Sequence, residues 1–352
     1  MNRNAAKQNA IKRNSLIDLF RLVCAFLVVI IHIPLQGRVF ADVILPLTRV
    51  AVPFFFMVAG YFLADENMER MKQQLNKQIR HVFRLFAGAF LFYLVFHILL
   101  AALQSPNGLK TYLSGLWNWK NWAQLIAIND PKAFRAEHLW YLAALLYGMA
   151  AIRLALKYFA LKKIYWVGAV LGLLLVPLLI WQKSPYGEHI PLAMFRNFLF
   201  TGIPCLLVGV WIKCNTQRIL KWPRKLVAFM PIAFVLLSII ERRLIYSWLD
   251  MIHLATFFSS LLLAASMIVL SIHFPSAGAR VPFSKWGAKY SQMIYISHIF
   301  FIYILDAIAK SWRIQDALWY QLSLLFVIVV FLLSLGFAAV WEGAKNKLKQ
   351  RK

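Results

Sequence analysis

The segment SLIDLFRLVCAFLVVIIHIPLQG, residues 15–37, sets an acid, a guanidinium and an imidazole into an otherwise apolar run: Asp18, Arg21 and His32. An α-helix advances about 100° per residue, so eleven steps from Arg21 to His32 return to the same face after about three turns, roughly 16 Å along the axis. Asp18, one turn before Arg21, shares that face. Ionisable groups are expensive in hydrocarbon, and those that persist mark functional sites. A neutral histidine can take a proton from a hydroxyl, or can itself carry an acyl group as a nucleophile. Arginine offers five donors in a planar fork to phosphate or carbonyl oxygens, and Asp18 can hold that fork in place. A buried polar network that fixes helix packing, with Arg21 snorkelling, explains Arg21 alone. Three aligned groups favour a site, in which Arg21 and His32 project into one protein-lined channel.

The elements around this stripe are apolar helices. Of 352 residues 61% are hydrophobic, and the mean hydropathy is +0.65. Ten apolar runs, near 16–36, 43–64, 83–103, 138–156, 164–182, 195–213, 225–240, 251–273, 290–309 and 318–341, read as membrane spans. The expected fold is all-α, a polytopic helical bundle of about ten transmembrane helices, since lipid forces backbone groups to pair within a segment. Residues 1–352 read as one integral membrane domain with short basic tails, 1–14 and 343–352. An even number of spans puts both termini on one side. That side also collects most of the 39 Lys and Arg, so both termini are expected in the cytoplasm of an inner or plasma membrane. The net charge of +26 then meets anionic lipid, and no stretch is long enough to read nucleic acid. The first apolar run continues into the multispan pattern and is a span, not a removed signal. Cys24, Cys205 and Cys214 have no paired spacing, and no metal-ligand motif, nucleophile elbow or phosphate loop occurs. Trp117, Trp119 and Trp122 in LWNWKNW suit an anchor at the membrane surface, with stacking on a sugar as the other use.

Further candidates lie in the other runs. Arg49 stands one turn before Pro53, and an intramembrane arginine calls for a partner in a central cavity. Glu137 and His138 open the fourth span at the depth of His32 and face an acceptor or cap a helix. Tyr295 and His298, three apart, share a helix face. Arg80 and Arg84 form a basic cluster before the third span, a phosphate contact or an ordinary anchor. His81, His97, His189, His253 and His273 lie outside these groupings and receive no role.

Several of these stretches together resemble one family. Asp-x-x-Arg, ten residues, then His in the first span is similar to the signature of the membrane acyltransferase 3 family, O-acyltransferases of surface sugars. VPFFFMVAGYFLA (52–64), HLWYLAALLYGM (138–149), FLFTGIPCLLVGVW (198–211) and GAKYSQMIYISHIF (287–300) resemble its later blocks, in family order over nearly the whole chain. The family's Arg-x-x-Arg before the third span is replaced here by KQIRHVFRLF, with Arg80 and Arg84 four apart and His81 at the first place. The resemblance implies transfer of an acyl group, acetyl by preference, from cytoplasmic acyl-CoA to a hydroxyl of an envelope or lipid-linked glycan, without a bound cofactor. It implies His32 as base or acyl carrier, Arg21 and Asp18 beside it, and Arg80 and Arg84 on the CoA phosphates. A transporter or flippase for a lipid-linked sugar or small metabolite also places charges in a membrane, and a sensor or scaffold is a third reading.

Overall fold

Apolar runs in lipid must satisfy every backbone N–H and C=O internally, and this chain does so with helices throughout. The computed structural model describes residues 13–33, 35–37, 39–184, 186–249 and 254–350; among them there is no β-strand. Arg3, Lys7, Lys12, Pro34, His253, Arg351 and Lys352 lie outside the described residues. The principal helices are α1 (Ser15–His32), α2 (Phe40–Leu63, interrupted at Arg49–Val50), α3 (Met68–Gln104), α4 (Pro106–Trp117), α5 (Trp119–Ile128) and α6 (Glu137–Tyr158). They continue with α7 (Leu161–Gln182), α8 (Phe198–Cys214), α9 (Arg224–Leu249), α10 (Phe258–His273), α11 (Ser284–Ser311) and α12 (Ser323–Gln350).

Every expected run falls on one of these helices. Seven of them (α1, α2, α3, α6, α7, α11 and α12) are long and apolar enough to cross a bilayer, so the protein is an all-α polytopic membrane protein. The other three runs fall short of that measure for identifiable reasons. Helices α8 and α10 are apolar but short. Helix α9 is long, but Arg224 and Lys225 charge its start and Glu241, Arg242 and Arg243 its far half. Between α3 and α6 the chain forms a helical pair, α4 and α5, joined at Asn118, which caps α5 through Lys120 N–H at 3.1 Å. Trp117 and Trp119 at that joint are exposed.

Side chains start the helices that matter for the site. Asn14 accepts from Ile17 N–H at 3.1 Å and donates to the Ser271 carbonyl at 2.7 Å, so one residue both caps α1 and ties it to α10. Asn197 accepts from Leu199 and Phe200 N–H at the head of α8. Glu241 of α9 caps α10 by accepting from Phe258 and Ser259 N–H at 2.9 and 2.8 Å. Such caps satisfy donors that the first turn leaves unpaired.

Close helix approach then sets the registers. Helix α1 lies along α11, and α2 along α8. A Cβ on Gly287 would fall on the Asp18 carbonyl, and one on Gly278 on the Ser15 carbonyl. Gly60 and Gly209 play the same part between α2 and α8, against the Leu206 and Met57 carbonyls. Without a hydrophobic drive between helices in lipid, such small-residue contacts carry much of the packing.

Candidate active site

Asp18 is fixed first. It is 5% exposed and lies in the turn that Gly287 and Gly278 hold against α11 and its preceding loop. Its carboxylate accepts from Arg13 Nε at 2.5 Å and stands 3.5 Å from Arg21 Nη1. Arg21 then stretches over the Phe62 ring, 4.9 Å from its centroid. The guanidinium is held by a charge on one side and an aromatic face on the other, an arrangement that suits its planar, weakly hydrated group.

Arg21 borders a cavity of about 520 Å³ between α1, α2, α3, α6 and α11. Polar walls come from α3, which contributes Gln74, Lys77, Gln78 and His81, and from Ser291 and Gln292 of α11. Tyr141 and Tyr295 close its inner end, their rings 5.3 Å apart and edge to face. Arg80 and Arg84 are exposed and do not border the cavity. Helical geometry gives the reason: Gln74, Lys77, Gln78 and His81 share one face, Arg80 is turned about 100° from His81 and about 160° from Gln78, and Arg84, though only about 20° from Lys77, lies two turns further along the helix. The basic face that meets the cavity is therefore Lys77 with His81, a histidine given no role from sequence.

One turn further along α11 the chemistry changes. His32 and His298 pack ring to ring with centroids 5.0 Å apart, and His138 adds a third ring 5.8 Å from His298. Tyr295 joins the cavity to the histidine rings, since it borders the cavity, its hydroxyl donates to the His138 carbonyl and its ring lies 6.1 Å from that of His298. Arg21 is among the residues that line this cavity, and His32 stands beyond Tyr295 in the histidine cluster. His298 and His138 are buried, whereas His32 keeps partial exposure. The His298 Nδ1 lies 3.2 Å from the Ile294 carbonyl. A carbonyl only accepts, so in the neutral ring Nδ1 carries the hydrogen and Nε2 presents its lone pair. That Nε2, and Nε2 of His138, are shut off from solvent with no hydrogen-bond partner among the described residues.

Behind these rings lies an aromatic wall. Tyr93 packs edge-on to His138 at 4.4 Å, donates to the Ile296 carbonyl at 2.6 Å and accepts from Phe300 N–H at 3.1 Å. Glu137, next to His138, is exposed and turned toward Lys132, 4.0 Å away. Arg49 sits at the break in α2, and Arg196 precedes α8 with its guanidinium 5.0 Å above the Trp140 ring. Both lie near enough to His32 to interact with it electrostatically. Arg196 falls inside the expected run 195–213, a charge visible in the sequence but given no role there, and the structure places it in the connection just before α8. Among the described residues no group of three His, Cys, Asp or Glu side chains is placed to hold a metal ion.

The acyltransferase domain family, acyltransferase 3, matches residues 14–341, nearly the whole chain. The chain belongs to this acyltransferase family. It is also 29% identical to a serine/alanine racemase of Enterococcus gallinarum over 228 residues, 58% of this chain and 30% of that protein. It is 31% identical to an amino-acid racemase of Enterococcus faecalis over 150 residues, 42% of this chain and 20% of that protein. The chain thus aligns with less than a third of the length of these curated relatives. No solved structure matches it.

Proposed function

We propose that this membrane acyltransferase moves an acyl group, acetyl by preference, from acyl-CoA to a hydroxyl of an envelope or lipid-linked glycan. The observation that carries the reading is a polar cavity joined to a histidine cluster through Tyr295. The cavity, bordered by Arg21, Lys77 and His81, suits a polyanionic thioester donor, and the rings of His298, His32 and His138 pack next to Tyr295. The cavity lies toward the end of the bundle that carries both described termini, which the basic tails assign to the cytoplasm of an inner or plasma membrane.

In this mechanism Lys77 and His81 hold CoA phosphates by charge-assisted hydrogen bonds. Arg21 steadies the donor near the thioester. His32 takes the proton of the acceptor hydroxyl, the oxygen adds to the thioester carbonyl, and the C–S bond breaks as the tetrahedral adduct collapses. The proton returns to the CoA thiolate, which leaves as thiol. His298, whose ring packs against that of His32, holds it in orientation, the usual logic of a base held by a third group. A covalent acyl-His32 intermediate is the variant of this scheme. Positioned proton transfer contributes about 10² to 10⁴ in rate. The racemase activity in the relatives' names is not carried over, since the matched stretch is under a third of those proteins.

The test uses the full chain reconstituted in vesicles with labelled acetyl-CoA and a glycan fraction, read by mass spectrometry of O-acetyl content. Wild type is expected to acetylate, and His32→Ala to lose transfer by at least about 10² while inserting normally. Undiminished transfer by His32→Ala overturns the role of that residue. Sugar flux without any acyl chemistry overturns the enzymatic reading in favour of transport.

A further inference from the structure

Two guanidinium groups near the histidine cluster each bury a donor that no residue among those described meets. Arg49 stands at the break in α2, where the π-helical turn Phe40–Ile44 and one α-helical turn precede it. Arg196 stands just before the π-helical turn Phe198–Gly202 that opens α8. Wide turns of this kind recur at functional sites. The Nε of Arg49 and the Nε of Arg196 are both closed off from solvent and have no hydrogen-bond partner among the described residues. Neither side chain belongs to an ion pair among those residues. The two are near enough to repel each other, and the stacking of Arg196 on Trp140 holds its fork in place rather than neutralising it.

Glu137 and Asp130 lie near enough to Arg196 to attract it, but neither forms an ion pair with it: Glu137 is exposed and turned toward Lys132, and the Asp130 carboxylate accepts from Lys132 N–H at 3.0 Å. Two like charges, half-buried and each with a buried donor unmet, make a site that a further negative group completes. Two planar forks match an oxyanion, phosphate or carboxylate, better than any neutral ligand.

We infer that Arg49 and Arg196 form an oxyanion site beside His32, and that the acceptor acylated there carries a phosphate or carboxylate close to its reacting hydroxyl. The second half rests on the proposed acyl transfer; the anion site does not. It gives the acceptor a handle in the neighbourhood of the His32 ring. It also separates two anionic substrates, since the donor meets Lys77 and His81 and the acceptor meets the arginine pair.

The experiment is a thermal-unfolding titration of the full chain in nanodiscs with three probes: inorganic phosphate, acetate and acetyl-CoA. Phosphate or acetate is expected to raise the unfolding midpoint of wild type, and whichever acts identifies the oxyanion. Arg49→Gln and Arg196→Gln should each weaken that binding by about 10- to 100-fold, the worth of a charge-assisted contact. Arg49→Lys, which keeps the charge and guards against misfolding, should retain part of it. Lys77→Gln should leave the small-anion response in place while diminishing that of acetyl-CoA. A small-anion response that survives both arginine variants, or is lost in Lys77→Gln, overturns the inference, as does wild type that responds to neither small anion. Wild type that responds to small anions through the arginine pair but not to acetyl-CoA leaves the site standing and removes the donor reading.

Discussion

Arg21 makes three kinds of contact that only a guanidinium can make together. It stands 3.5 Å from Asp18, covers the Phe62 ring and borders the polar cavity. Lysine matches the charge but not the plane, so it can pair with Asp18 or reach the cavity, and cannot stack while doing either. Arg21→Lys is therefore expected to lower acyl transfer by about 10- to 100-fold, the loss of one to two charge-assisted contacts. If Arg21 steadies the reacting thioester, the loss appears in kcat; if it only binds the donor, it appears in KM for acyl-CoA. Initial rates at several acyl-CoA concentrations separate the two, and unchanged rates in both would remove Arg21 from the site. His298 makes a complementary case. Its Nδ1 is committed to the Ile294 carbonyl, and that leaves Nε2 as the nitrogen with a lone pair to offer. The sequence placed Tyr295 and His298 on one face but held no record of that commitment, because a ring tautomer is set by a partner found only on folding.

At the scale of helices, the site depends on how closely α1 lies on α11. Gly287 accepts the Asp18 carbonyl where a Cβ would sit. Adding a methyl there drives the helices apart at the residue that anchors Arg21. Gly287→Ala should cost about 1–3 kcal/mol of stability, the usual penalty of overpacking, and should lower activity with it. Gly88 and Gly336 have open space at the same position, and alanine at either is expected to be neutral or mildly stabilising, since helical glycine is costly in itself. Thermal unfolding of the three variants checks this; equal midpoints for Gly287→Ala and Gly336→Ala would show that the contact does not govern packing. The run of helices was legible from apolar stretches alone, as was the stripe of Asp18, Arg21 and His32. The rotation of α3 was not: Arg80 and Arg84 stand out as charges, yet Lys77 and His81 meet the cavity, because the face that turns inward is chosen by packing against α2 and α6. Arg196 was visible as a charge inside the expected run 195–213, but that the helix starts only at Phe198 and leaves Arg196 ahead of it was not.

For the whole molecule, the proposed transfer fixes an orientation: with acyl-CoA as a cytoplasmic donor and an envelope glycan as acceptor, the cavity with Lys77 and His81 would open toward the cytoplasm and the Arg49–Arg196 end away from it. The fold supplies natural reporters. Cys214, at the end of α8, is exposed, while Cys24 and Cys205 are buried. The His273 ring meets the Ile219 carbonyl at 2.9 Å, and Asn14 bonds the Ser271 carbonyl, so the turn after Cys214 shares an end with the start of α1. Glu137, also exposed, lies at the opposite end of α6 from Tyr158 and beside the histidine cluster. A membrane-impermeant maleimide added to intact cells should leave Cys214 unmodified, and should label it once the membrane is opened. Glu137→Cys in a Cys214→Ser background should show the reverse, with labelling in intact cells. Both patterns are what the proposed orientation predicts, with the Lys- and Arg-rich, termini-bearing end in the cytoplasm. Labelling of Cys214 from outside would invert the molecule and leave the donor cavity facing a solution without acyl-CoA, and the division of labour between Lys77–His81 and Arg49–Arg196 would fail with it.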